Sequence, residues 1–567
     1  MRNGSLNMAL LYPAPHDVTS LCLTTNVFAM RLLATAFALV SFTLLAVAEN
    51  PPLKSVEDFQ KAAEKYHSVL TLPEFEKSAA EVAASADKAI AEGDAALDKL
   101  GSIDPAKATF KTTFPVLDDL TYVAGKTAER LEVIKNTSTD AAVRDPATEG
   151  VKKLEQWFVG VPYRQDVYKT IQAAAAKKPK LAGEDAKLLR ETLRDYKRAG
   201  LELPADEQKE VERLRKELTK LSTDFQNNIR ETKSPVTFTR AELVGVAEDF
   251  LAQKGIKTGD DEYTIDANVT FQVLNVMDNC SVEASRKKLY LARDKRTMEK
   301  NVPLFGQIVE LRDTIAAKLG YKSWADYQIE PKMAKTAGRA QKFCDDLERG
   351  LQPKFDAEVA EFKKLKAEET GESDPAINVW DWRYYAEQLR KKKYNVDAEA
   401  LRVFFPYEKA LEGMFNVYQT IFGIKIEQVE APYKWVDDLR LYAVSDAKTG
   451  EPMGLFYLDM FPRDGKYNHF AQFGIIEGAR LPNGKYQRPT VALICNFPPA
   501  SGEKPALMAH DEVVTLFHEF GHAMHSILTR ANYSRFAGTS VPRDFVEAPS
   551  QMLENWAWDK TVLDTFA

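Results

Sequence analysis

The run Val514-Thr515-Leu516-Phe517-His518-Glu519-Phe520-Gly521-His522-Ala523-Met524-His525 constrains this chain more than any other stretch. Its apolar residues recur at helical spacing, and it contains His-Glu-x-x-His. On an α-helix, positions i and i+4 share a face about 6 Å apart along the axis, so His518 and His522 reach one ion. Neutral imidazoles at that spacing suit zinc and leave room for a third ligand and a water. Glu519 stands about 100° round the helix. A carboxylate there touches the water without being a ligand, which is the place of a general base. The bland alternative is a helix that merely carries histidines. However, the chain has only seven His. Val513, Val514, Leu516, Phe517, Phe520, Ala523 and Met524 make the helix largely apolar and therefore buried, and buried imidazoles need partners. A metal is the economical partner.

The third ligand sets the class. The long metalloprotease pattern requires Gly at 525 and His at 528, whereas this chain has His525 and Leu528, which excludes it. A carboxylate from a later helix is the other common choice. Glu547, in Asp544-Phe545-Val546-Glu547-Ala548-Pro549-Ser550-Gln551-Met552-Leu553-Glu554-Asn555-Trp556, lies far enough on to finish one helix, loop back and start a second. Asp544-x-x-Glu547 also reads as a capping box at a helix start. Spacing alone leaves the two readings level.

His518 to His525, followed by Phe545 to Trp556, resembles the thimet oligopeptidase and neurolysin family of zinc peptidases. Gly454-Leu455-Phe456-Tyr457-Leu458-Asp459, Phe461-Pro462-Arg463 and Gly465-Lys466-Tyr467 are similar to segments of the same family, as are Trp380-Asp381-Trp382, Tyr384-Tyr385 and His510-Asp511-Glu512-Val513. The likeness covers most of the chain after about residue 50 and is strongest from 375 to 560. It implies that Glu547 is the third ligand of one Zn2+ per chain, with Glu519 as base. It also implies a mainly α, two-lobed metallopeptidase with a deep channel that admits short unstructured peptides. The expected function is that of a zinc-dependent endopeptidase. Family members continue past the position of Ala567 into a Gly- and Tyr-rich loop that supplies a His and Tyr residues to the oxyanion. The alternative is therefore a catalytically silent zinc- or peptide-binding form, with Trp556, Trp558, Val562, Leu563 and Phe566 left as an apolar patch. Asp511, Glu512 and Glu554 are candidates to orient a ligand imidazole from behind. The acids before the helix are equally explained as favourable charges at its start.

A chain of 567 residues exceeds one ordinary core. Its 76 basic and 83 acidic residues give a net charge of −7, which argues against a nucleic-acid partner, and a monomer is expected. Residues 1–48 read as a leader. Met30-Arg31 precedes an apolar run to Val47, and Ala46-Val47-Ala48 resembles a signal-peptidase site. The run is too short for a stable membrane span. Secretion is the expectation, with mitochondrial or cytosolic residence as alternatives. The scattered Cys22, Cys280, Cys344 and Cys495 form neither a disulfide framework nor a Cys-x-x-Cys metal site.

Residues 49–245 read as a helical region. Breaks are expected at Leu72-Pro73, Ile103-Asp104-Pro105, Arg144-Asp145-Pro146, Gly160-Val161-Pro162 and Leu203-Pro204. Residues 246–567 read as the catalytic region. Around the boundary, Ser234–Thr239 and Tyr263–Asp266 look extended, with a turn over Lys257–Asp261. Helices fill 282–422. A small sheet is expected beside the zinc helix, from strands at Leu439–Val444, Gly454–Met460, Gln472–Ile476 and Thr490–Ile494. A strand there can pair with an extended peptide.

Overall fold

The structure is a computed structural model that describes residues 53–395, 398–500 and 505–567. Residues 1–52, including the expected leader, lie outside the described residues. The fold is mainly α, as expected. Helix α1 (Ala79–Gly101) starts where the Ser78 hydroxyl accepts the Glu81 N–H, and its face of Val82, Ala86, Ala89, Leu97 and Leu100 is buried. Helix α2 (Phe110–Thr137) opens on a reciprocal Thr109/Thr112 box. Helix α3 (Ala141–Gly160) is capped by Asp140, whose carboxylate accepts the Ala142 N–H at 2.8 Å.

The break expected at Arg144-Asp145-Pro146 does not occur, because Pro146 lies inside α3. A proline in the second turn removes one backbone bond. The Asp140 cap and the burial of Ala147, Val151 and Leu154 offset that loss. The breaks expected at Leu72-Pro73, Ile103-Asp104-Pro105 and Leu203-Pro204 fall between elements, and at Gly160-Val161-Pro162 α3 gives way to a 3₁₀ turn over Val161–Tyr163. Helix α4 (Gly183–Ala199) follows, and α5 (Ala205–Glu231) starts directly after Pro204.

Helix α6 (Tyr407–Phe422) leads into a five-stranded sheet of β1 (Ile424–Val429), β2 (Arg440–Asp446), β3 (Pro452–Asp459), β4 (Ala471–Ile476) and β5 (Thr490–Ile494). The order is β1-β2-β3-β5-β4, with β3 and β5 parallel and the other pairs antiparallel. Every residue of β3 and β5 is buried, because helices cover both faces. Phe456, Leu458, Val491 and Leu493 face α6 and α7 (His510–Ile527). The alternate residues Leu455, Tyr457, Ala492 and Ile494 face α1, α2 and α3. Strand β4 lies at one edge of this sheet.

The four expected strands are present, and β1 is an addition to them. Two further three-stranded sheets also occur among the described residues. In one of them Lys257–Gly259, expected as part of a turn, pairs with Glu262–Asp266. The other joins Ser68–Leu70 to Tyr486–Arg488, a pairing across most of the chain.

Just beyond β4, Glu477 meets Glu129 of α2 where the sheet packs on that helix. Their Oε2 atoms are sealed from solvent and have no hydrogen-bond partner. Burial raises the Glu477 carboxyl to about 7 and holds Glu129 well above the carboxylate range, with Glu477 adding repulsion. The folded pair therefore keeps a proton that the unfolded chain releases, and stability falls as pH rises from about 4.5 through 7. Glu477→Gln is expected to be more stable than wild type at pH 8, on the order of 2–3 kcal/mol. That advantage should fade towards pH 4.5. Urea unfolding at both pH values checks this, and a gap of constant size would show that the pair holds no extra proton.

Candidate active site

Helix α7 carries both histidines of the motif. It starts at Ala509, whose N–H is held by the Glu512 carboxylate at 2.6 Å, and its buried side is Val513, Leu516, Phe517, Phe520, Ala523, Met524 and Ile527. That packing turns the half-buried His518 and His522 the same way, with ring centroids 4.9 Å apart. Helix α8 (Arg543–Glu554) lies close against α7 at Gly521. A Cβ at Gly521 would lie 3.0 Å from Ser550 Cα and 3.3 Å from Leu553 Cδ1. The glycine of the motif is thus what allows the second helix to come near.

That approach puts Glu547 Oε2 3.3 Å from His518 Nε2 and 3.1 Å from His522 Nε2. The three ligand atoms lie within 4.8 Å of one another. Tetrahedral zinc with bonds of about 2.0–2.1 Å holds its ligand atoms about 3.3 Å apart, so this donor set fits the ion in element and in spacing. The Ser550 hydroxyl donates to Glu547 Oε2 at 3.0 Å and fixes the carboxylate. Glu554 Oε1 takes the other ring nitrogen of His518, Nδ1, at 2.7 Å, which leaves Nε2 for a ligand bond. Burial lowers the His522 pKa, against the attraction of Glu547, and so favours the neutral ring a metal requires.

Glu519 is not one of the three grouped ligand atoms. It is buried, and burial lifts its carboxyl to about 7, helped by Glu547 and opposed by His518 and by the Gln472 N–H that it accepts. Gln472 belongs to β4, so the candidate base and the free sheet edge are in direct contact.

The sequence model for peptidase family M3 matches residues 276–567, just over half of the chain. The chain belongs to peptidase family M3. The thimet-like oligopeptidase of Dictyostelium discoideum is 31% identical over 503 residues, which cover 86% of this chain and 75% of that protein. Saccharolysin of Saccharomyces cerevisiae is 34% identical over 458 residues, covering 77% and 64% respectively. Oligopeptidase A of Escherichia coli is 28% identical over 475 residues, covering 81% and 69%. This M3 chain thus spans between about two thirds and three quarters of these relatives. They support a peptidase that acts on short peptides. Another relative, 25% identical over 475 residues, is named mitochondrial intermediate peptidase of Arabidopsis thaliana. None of these names supports a secretory leader, and among the described residues no helix is long and apolar enough to cross a membrane.

Other expected site residues of this M3 chain have different work. Asp544 does not form a capping box with Glu547; its carboxylate accepts the N–H groups of Met333 and Ala334 at 3.1 and 3.0 Å. Glu512 holds the start of α7 and pairs with Arg402 at 2.7 Å. Asp511 is exposed in the first turn, where its charge acts on Arg383. Of the three acids expected behind the imidazoles, Glu554 makes the contact. Gln472 and Ser550 were not anticipated. A backbone N–H has no letter in a sequence, and the Ser550 bond is visible only once Glu547 faces the histidines.

Proposed function

We propose that this M3 chain is a zinc-dependent endopeptidase, with zinc held by His518, His522 and Glu547 and with short unstructured peptides as substrates. The observation that carries the reading is the convergence of both Nε2 atoms on Glu547 Oε2. Zinc bound there would supply Lewis acidity, polarising the scissile carbonyl and acidifying a water. Everything else falls to the chain's own residues. Glu519, with a carboxyl lifted to about 7, takes the proton of the attacking water and returns it to the leaving amine. The Gln472 N–H keeps its carboxylate oriented. The free edge of β4 offers main-chain hydrogen bonds to an extended peptide regardless of its side chains, which suits loose selectivity for sequence and excludes folded substrates. Glu554 fixes the ring of His518, and Ser550 fixes the carboxylate of Glu547.

The test combines metal analysis of the purified protein with hydrolysis of an internally quenched peptide. About one zinc per chain is expected. Chelation should abolish cleavage, and added zinc should restore it. Cleavage that survives removal of all metal would overturn the reading, and zinc without cleavage would indicate a peptide-binding protein instead.

A further inference from the structure

The helix Ala337–Thr370 packs on the rest of the chain chiefly through its last three turns. There Phe362 and Leu365 meet Tyr384, Tyr385 and Leu389, and Lys366 pairs with Asp381 at 2.8 Å. From Gln341 to Glu358 every residue is exposed, on all sides of the helix. About five turns therefore stand in solvent. Helices of that length are marginal in water on their own, and most take their stability from packing an apolar face.

The exposed stretch carries such a face. Phe343, Leu347, Leu351 and Phe355 are 67%, 49%, 51% and 58% exposed, and each follows the last by four residues. At 100° per residue the four lie within about 120° of arc. Lys342, Asp346 and Arg349 form ion pairs on the far side of the helix. The charges that share the apolar face, Lys354 and Glu358, neutralise each other at 3.6 Å.

This row is the same read from either end: Phe, Leu, Leu, Phe about a midpoint at Arg349. A surface that repeats under reversal is complementary to a second copy of itself across a two-fold axis. Rows of i, i+4 residues are inclined to the helix axis, and two of them align when their helices cross at about −50°, the commonest packing class. An antiparallel pair about Arg349 then lays Phe343 on Phe355 of the second copy, and Leu347 on Leu351. A second exposed row, Met298, Val302, Phe305 and Val309, lacks this symmetry.

We propose that two copies of this chain associate through Phe343, Leu347, Leu351 and Phe355 in an antiparallel, two-fold pair. This goes beyond the monomer expected from the sequence, and its test depends neither on metal nor on cleavage.

Sedimentation equilibrium of the 567-residue protein is the measurement, and a monomer–dimer equilibrium is expected at micromolar concentration. Leu347→Asp combined with Leu351→Asp should weaken association at least roughly 100-fold, because four apolar side chains at the axis become carboxylates. Val302→Asp combined with Phe305→Asp, at comparably exposed positions, should leave it unchanged. Far-ultraviolet circular dichroism confirms the fold of both variants. Cross-linking reads the direction of the pair. With Cys22 and Cys344 replaced by serine, the remaining Cys280 and Cys495 are buried. Phe343→Cys and Phe355→Cys proteins should then form a disulfide when mixed under a mild oxidant. Neither should link to itself, because like positions lie about 18 Å apart along the antiparallel helices. The proposal is overturned if the protein stays monomeric up to about 100 µM, or if the Leu347/Leu351 variant associates as wild type does. It is also overturned if the Val302/Phe305 variant loses association, or if each cysteine protein links to itself instead. A monomer in which residues 341–358 resist hydrogen exchange would assign the row to another part of the same chain, and equally overturns it.

Discussion

Replacement of Glu519 by glutamine is expected to leave the fold and the metal content unchanged and to lower kcat for peptide hydrolysis by at least about 100-fold. The substitution keeps the volume of a buried side chain, and the amide oxygen can still accept the Gln472 N–H. It removes the one property the proposed chemistry requires at this position, a carboxylate that accepts a proton from water and gives it up again. Little of the loss should appear in KM, because in the proposed mode the β4 edge and not the base holds the peptide. Kinetics on a quenched peptide, with zinc measured on the same sample, decide the matter. A Glu519→Gln enzyme with full zinc and near-wild-type kcat would mean that another group moves the proton.

How far this site was legible follows from what each residue depends on. His518, Glu519 and His522 sit on one helix, whose geometry fixes their relation before any tertiary contact is known. Glu547 depends on the path of the chain from Leu528 to Pro542, which spacing cannot trace, so on spacing alone the capping box stayed level with the ligand. The resemblance favoured the ligand, and Asp544 in fact accepts the Met333 and Ala334 N–H groups. Glu554 was one of three acids with equal claims, and only the 2.7 Å contact to His518 Nδ1 separates it from Asp511 and Glu512.

The fold shows the same division. Strands β3 and β5 were legible as apolar runs because both faces are covered. Strand β1 carries charge and contacts the rest of the sheet along one edge only, so its Ile-Lys-Ile-Glu-Gln-Val pattern stayed unassigned between the helices ending at 422 and the strand expected from Leu439. The apolar patch expected near Ala567 is smaller than the composition suggested. Phe566 is buried in the space left by Gly413, and Val562 and Leu563 pack against the α6–α7 core. Trp558, at 64% exposure, remains outside.

Removal of a proposed zinc ligand should give the other large effect, and it separates a ligand from the residue that positions a ligand. Glu547→Ala removes one of the three proposed donors and leaves two imidazoles, and three protein ligands are the usual minimum for a catalytic zinc that keeps an open position. The variant is therefore expected to lose its zinc on dialysis, and cleavage with it. Glu554→Gln leaves all three donors in place. It weakens only the hydrogen bond that fixes the His518 ring, and loss of such an outer partner typically costs about 10- to 100-fold in metal affinity. Zinc should then be retained without chelator and lost at lower chelator concentrations than from wild type, with cleavage restored by added zinc. Competition titrations with a chromophoric chelator on wild type and both variants place the three proteins on one scale. If Glu547→Ala holds zinc as tightly as wild type, the carboxylate facing the two histidines is not a ligand. If Glu554→Gln loses zinc as completely as Glu547→Ala, the ion relies on the orientation of His518 as heavily as on a ligand bond. If Glu554→Gln matches wild type, packing alone fixes that ring.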